Sequence, residues 1–178
     1  MFTELMRNRR SVRKFAFRQV EQEKINAVIE AALRSPSGRG SRPWHFVVVK
    51  DKALLEKLSV AKPGGAAFVK DAAVAVVVCG DPSASHLWIE DCSIAAVTMQ
   101  YAAHAMGLGS RWSQMRNNKY SDTQSSKDYI AELLDLPDNL DVECIVAIGY
   151  PGEEMVPYRD EELARDKVSY ERHGLKKS

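Results

Sequence analysis

Near the amino terminus, Arg9-Arg10-Ser11-Val12-Arg13, followed by Lys14 and Phe15, concentrates side chains suited to holding a phosphate. A guanidinium is a rigid fork of donors that pairs bidentately with phosphate oxygens, and a serine hydroxyl adds one donor more. Alternate side chains of an extended segment point the same way, so Arg9, Ser11 and Arg13 can converge on one ligand. Residues 1–18 hold six cations (Arg7, Arg9, Arg10, Arg13, Lys14 and Arg18) against Glu4 alone, a local charge of +5. Such a cluster calls for an anion, a ligand's or a partner's. Taken alone, it also suits a solvated basic arm or a nucleic-acid contact.

Other familiar chemistries are absent. There is no GxxxxGK[ST] phosphate loop, no HExxH zinc helix and no GxSxG nucleophile elbow. Gly107-Leu-Gly109 closes a helix instead of following a strand, so it reads as a helix C-cap and not as a dinucleotide fingerprint. His86 and Glu90, four apart on a helix, read as a solvated pair. Cys79, Cys92 and Cys144 are odd in number and form no CxxC, which argues against a disulfide framework or structural zinc. The residues offer no evident acid or base.

Several elements must position the arginine cluster. Ile25, Val28, Ile29, Ala32 and Leu33 recur at helical spacing and predict a helix over 21–34 with one buried face. Pro36 disfavours helix at Ser35 and opens a turn-rich, arginine-rich loop over 35–43. Strands are expected at 45–49 and 72–79, both apolar enough to be covered on two faces, and a third at about 142–148. Short helices fit 52–58 and 126–134, the latter with Tyr129, Ile130, Leu133 and Leu134 inward. The longest helix should span 85–106. Ile94, Val97, Tyr101, Ala105 and Leu108 align on one of its faces and small residues cover the rest, which predicts a central, buried helix.

The chain's 178 residues suit one domain, 1–178, with an irregular tail from about 151. Lys and Arg number 25 against 24 Asp and Glu, a net +1 that speaks against a general nucleic-acid binder. No apolar run is long enough to span a bilayer, and the first residues lack a signal peptide's apolar stretch. The expectation is a cytoplasmic protein with no membrane and no nucleic-acid partner.

Six motifs stand in order: the RRSVRKF opening, the loop from Pro36 to Trp44 (PSGRGSRPW), Lys70-Asp-Ala-Ala73, Trp88-Ile-Glu-Asp91, Gly107-Leu-Gly109-Ser110 with Trp112, and Ile148-Gly-Tyr-Pro151 followed by Pro157 and Arg159. Across about 150 residues this series resembles the FMN-dependent nitroreductase family. The resemblance implies an α+β fold: a central mixed sheet flanked by helices in three layers, built as an intertwined homodimer. It implies FMN as cofactor, NADH or NADPH as donor, and a ping-pong cycle that reduces a small acceptor such as a nitroaromatic or quinone. Reductive dehalogenation, flavin remodelling and non-catalytic flavin binding share this fold.

By the same resemblance, Arg9, Arg10 and Ser11 clamp the FMN phosphate and ribityl chain, and Arg13 lies nearer the flavin's pyrimidine edge. Pro36, Ser37 and Gly38 match the loop that reaches the flavin from the other subunit. Trp112, Ser113 and Gln114 match a segment running along the cofactor, and Arg159 matches a late phosphate contact. Two positions depart from the pattern: Gly40 replaces the loop's usual Asn, and Arg42 its Gln. Pro157 stands where a Lys is usual. The family's larger members carry an additional covering helix that this chain lacks, and Gly64-Gly65 is expected to form a mobile loop there.

Overall fold

The runs at 74–80 and 141–149 are apolar at almost every position, so both sides of each strand must be covered. In the computed structural model, which describes residues 2–175, they are the central strands of one sheet. β1 (Trp44–Val49), β2 (Val74–Gly80), β3 (Gly109–Gln114) and β4 (Asp141–Gly149) lie in the order β1-β2-β4-β3. Each adjacent pair is antiparallel, with Trp44 opposite Gly80, Val74 opposite Ile148 and Gly109 opposite Gly149.

Helices α1 (Phe2–Asn8), α2 (Gln22–Leu33), α3 (Lys52–Ser59), α4 (Trp88–Ala105) and α5 (Ser126–Leu134) complete the fold. On one face, α2 and α4 bury Val28, Ala32 and Met99 against Val76 and Val146. On the other, α3, α5 and the turn Ala67–Asp71 bury Leu55, Leu58 and Ile130 against Val77 and Ile145. This is the expected α+β arrangement of a sheet between helical layers. Parallel pairing, expected of a mixed sheet, is confined among the described residues to a single bridge between Ser11 and Ser110. Among the described residues no helix is long and apolar enough to cross a membrane.

β3 and α1 lack a strong sequence signal. β3 reads GSRWSQ, too polar to show as a buried strand, and exists because β4 supplies its partners. α1 has only seven residues and buries none.

The predicted face of α4 needs correction. Its buried side is Cys92, Ala95, Ala96, Met99 and Ala103, whereas Ile94 and Val97 are 41% and 43% exposed and Ala105 is exposed too. Alanines let the helix approach the sheet closely, which turns the branched side chains outward. Leu33 of α2, expected inward, is likewise exposed.

A polar network closes the carboxyl end of α4. The Lys24 ammonium donates to the Met106 carbonyl (3.1 Å) and to Tyr150 Oη (2.8 Å). Tyr150 Oη in turn donates to Glu21 Oε2 at 2.7 Å, and the Arg18 guanidinium lies over the Tyr150 ring. The Tyr150 hydroxyl first, then a backbone N–H, Lys24 and Arg18, hold the Glu21 carboxyl at about 2 instead of 4.5. A folded value below the unfolded one stabilises the fold above about pH 4.5, and that contribution is lost as pH falls toward 2. The melting-temperature gap between wild type and Glu21→Gln should therefore narrow between about pH 5 and about pH 2. A gap constant over that range would mean that the carboxylate contributes nothing.

Candidate functional site

The arginine cluster leaves α1 as an extended arm stitched down on both sides. Val12 is buried, its N–H donates to the Ser110 carbonyl at 3.0 Å, and Ser11 bridges Ser110. Gly109 permits this contact, since a Cβ there would lie 2.3 Å from Val12 Cγ2. On the far side, Glu153 Oε1 accepts the N–H groups of Arg13 (2.6 Å) and Lys14 (3.0 Å). Those two bonds hold the Glu153 carboxyl below the usual carboxylate range. With Val12 turned inward, Ser11 and Arg13 project outward, as the alternation predicts.

The cations around the arm are incompletely compensated. Arg9 lies over the Tyr101 ring at 5.5 Å, and its Nη1 is buried without a hydrogen-bond partner. Arg10 lies 3.6 Å over the ring of Tyr158, the residue before Arg159. Arg111, on β3, stacks on Phe68 at 4.2 Å. Its guanidinium is pushed down in pKa, first by burial and then by the positive charge of Arg13. A cleft of about 290 Å³ opens beside the arm, lined among others by Arg9, Arg10, His104, Ser110 and Glu153. Burial and then Arg9 hold the His104 imidazole below its ordinary value, which favours its neutral form. A buried, unpaired guanidinium donor is costly and calls for an acceptor, and an anion supplies one.

The β3 side chains are internally partnered. Trp112 Nε1 donates to Gln114 Oε1 (3.0 Å), and Gln114 Nε2 to the buried Glu143 carboxylate (3.1 Å), which Arg116 Nε also reaches at 3.1 Å. Ser113 Oγ donates to the Gly65 carbonyl at 2.7 Å, tying the glycine loop to the strand. Arg159 is exposed, and both its N–H and its side chain approach Glu162.

Pro36, Ser37 and Gly38 lie elsewhere. Asp91, only 2% exposed at the start of α4, accepts from Gly38 N–H at 2.9 Å and from Ser41 Oγ at 3.3 Å. A Cβ on Gly38 would sit 2.5 Å from Leu87 Cδ1, so the loop packs tightly on the helix start. Asp91 and His104 are thirteen residues apart in one helix, about 20 Å at 1.5 Å per residue. Within one chain the loop and the arginine cluster therefore occupy opposite ends of α4.

Sequence reasoning thus brings together Arg9, Arg10, Ser11 and Arg13, with Arg159 adjacent through Tyr158. It missed Arg111, Ser110, Glu153 and the anchoring role of Asp91. Arg111 carried a faint signal, a cation alternating with Ser113 in a polar stretch. Glu153 carried none, because it meets the arm only through the exit of β4.

Known proteins bear on this arrangement. A family model described as Nitroreductase family matches residues 6–150. A solved structure, the FMN-dependent nitroreductase from Clostridium difficile R20291, superposes with a TM-score of 0.93 at 43% identity, covering 94% of this chain and 98% of that one. An Archaeoglobus fulgidus protein named "Putative NADH dehydrogenase/NAD(P)H nitroreductase" is 36% identical over 92% of this chain and 94% of its own length. A local likeness, 47% over 57 residues, joins the chain to mouse iodotyrosine deiodinase 1, covering 32% of this chain and 20% of that one. On the match spanning most of its length, the chain belongs to the nitroreductase family.

Proposed function

We propose that this protein is an FMN-dependent oxidoreductase that takes electrons from NAD(P)H and delivers them to a small acceptor. The buried, unpartnered Arg9 Nη1 in a cationic cleft is the observation that carries this reading, because it fits an anionic ligand such as a terminal monophosphate. Likeness to a structure named as an FMN-dependent nitroreductase supports it. Arg9, Arg10 and Ser11 would hold the phosphate and ribityl chain, with Arg159 as a further phosphate contact. Trp112, Ser113 and Gln114 would run along the cofactor. Arg13, with Arg111 beside it, supplies positive charge where negative charge accumulates on reduction. FMN held there would supply hydride transfer from NADH or NADPH to an acceptor such as a nitroaromatic or quinone, in a ping-pong cycle. Positioning by the arm is then the protein's main contribution.

The site is shared in a homodimer on this reading. Pro36, Ser37 and Gly38 of one subunit would reach the flavin held by the arginine arm of the other, a reading supported by the separation of about 20 Å between loop and arm along α4 within one chain. The exposed stripe of Ile94 and Val97 on α4 supports the same arrangement, as do exposed Val156, Tyr158 and Leu163 on the tail. A reducing, cytoplasmic setting suits three buried free cysteines, two of them pushed up to about 12 by burial.

Purified protein should be yellow and release FMN, not FAD, on denaturation. Colourless protein that takes up no added FMN would defeat the reading. A panel of a quinone, a nitroaromatic and a halogenated phenol, with halide release followed, separates nitroreductase from dehalogenase chemistry.

A further inference from the structure

Two arginines in the loop after α2 adopt backbone conformations that L-residues avoid. Arg39 has φ 53° and ψ 18°, and Arg42 has φ 48°, on either side of Gly40 at φ 70°. Glycine or asparagine would sit there at lower conformational cost, so the arginine side chains must contribute something else. The loop is also held unusually firmly. The buried Asp91 carboxylate takes Gly38 N–H and the Ser41 hydroxyl, Ser37 Oγ accepts the Arg42 N–H at 3.1 Å, and Asp81 N–H donates to the Pro43 carbonyl at 2.9 Å. A buried carboxylate satisfied only by neutral donors is an expensive way to fix a surface loop.

What this loop displays is unpaired positive charge. Arg39 and Arg42 are exposed, and neither guanidinium has an ion pair or ring contact among the described residues. Arg18, Arg34, Arg116 and Arg159, by contrast, each meet a glutamate. A loop fixed by four hydrogen bonds, strain at the cation-bearing positions and absent counter-charges suit Arg39 and Arg42 to an anionic ligand.

We infer that Arg39 and Arg42 form an anion subsite that selects substrates carrying a carboxylate or phosphate. The inference rests on the shared flavin site proposed above, where this loop borders the partner's cofactor. A substrate stacked on the flavin would place its anionic group against the two guanidiniums. That group belongs either to the acceptor or to the 2′-phosphate of NADPH.

Steady-state kinetics of the FMN-loaded dimer separates the two sources. One arm compares para-nitrobenzoate with para-nitrobenzyl alcohol at fixed donor, and the other compares NADPH with NADH at fixed acceptor. Wild type should favour the anionic member in at least one arm by about tenfold in kcat/KM. The double variant Arg39→Asn/Arg42→Asn, whose residues tolerate the left-handed backbone, should lose that preference and keep its FMN and its rate with the neutral member. Arg39→Lys/Arg42→Lys should recover most of it. Preference in the acceptor arm, the donor arm or both supports the subsite and assigns its ligand. No preference beyond about twofold in either arm, or one unchanged in the asparagine variant, overturns it. Loss of FMN from the asparagine variant overturns it as well, since the loop would then serve the cofactor. Failure of FMN-loaded wild type to oxidise either nicotinamide is a separate result that removes the underlying function.

Discussion

Arg9→Ala and Arg13→Ala are each expected to weaken FMN binding by about ten- to a hundred-fold, with the fold intact. A hydrogen bond to a charged group is worth about 1.5–3 kcal/mol, and each 1.4 kcal/mol is a factor of ten in affinity. Arg9 should sit at the upper end, because its Nη1 is already out of water without a partner and gives up no hydration on meeting a phosphate. Arg13 is exposed and lies beside Arg111, so its removal also relieves a repulsion and the net loss should be smaller. The backbone course of the arm does not depend on either side chain. It is fixed by Val12 against Gly109 and by Glu153 on the Arg13 and Lys14 N–H groups. Titration of apo protein with FMN, followed by fluorescence quenching, measures both variants, and thermal unfolding checks the fold. Unchanged FMN affinity in both would place the phosphate away from the arm.

FMN binding and dimerisation should be linked. If the Ser35–Pro43 loop completes the partner's site, ligand that binds only the dimer shifts association by mass action. At FMN about a hundred times its Kd the dimer gains about 2.7 kcal/mol per site, or about 5.4 kcal/mol over its two sites, so apo protein should dissociate at about a ten-thousand-fold higher concentration than holo protein. Sedimentation across a dilution series reads this directly. Ser37→Trp offers a second probe, because Ser37 Oγ accepts the Arg42 N–H and a large ring there must reshape the loop. It should lose FMN although residue 37 lies at the far end of α4 from the arginine arm of its own chain. A stable monomer that holds FMN with wild-type affinity would sink the shared site and leave the flavin assignment standing.

What the sequence determines here is mostly local. Helices α2, α3 and α5 and strands β1, β2 and β4 lie where periodicity and turn residues predict them, because side-chain spacing and breakers such as Pro36 act within a few residues. The phosphate-suited arm was legible for the same reason: its arginines and serine are contiguous, and an extended backbone points them together. The resemblance carried the family, since ordered motifs survive where single residues are ambiguous.

Tertiary structure decided the rest. β3 is a strand because β4 pairs with it, not because GSRWSQ favours extension. Composition made α4 apolar nearly all round, but only packing of its alanines on the sheet showed that Ile94 and Val97 face outward. Arg111 beside Arg13, Glu153 on the arm and Asp91 under the loop are meetings of residues about 50 to 140 positions apart or between separate elements. No local pattern encodes such contacts, because they depend on which faces the sheet order turns toward each other. The same holds for the loop and the arm: both are readable as segments, yet their placement at opposite ends of one helix follows from the straight 1.5 Å rise of α4, which only the folded chain orients.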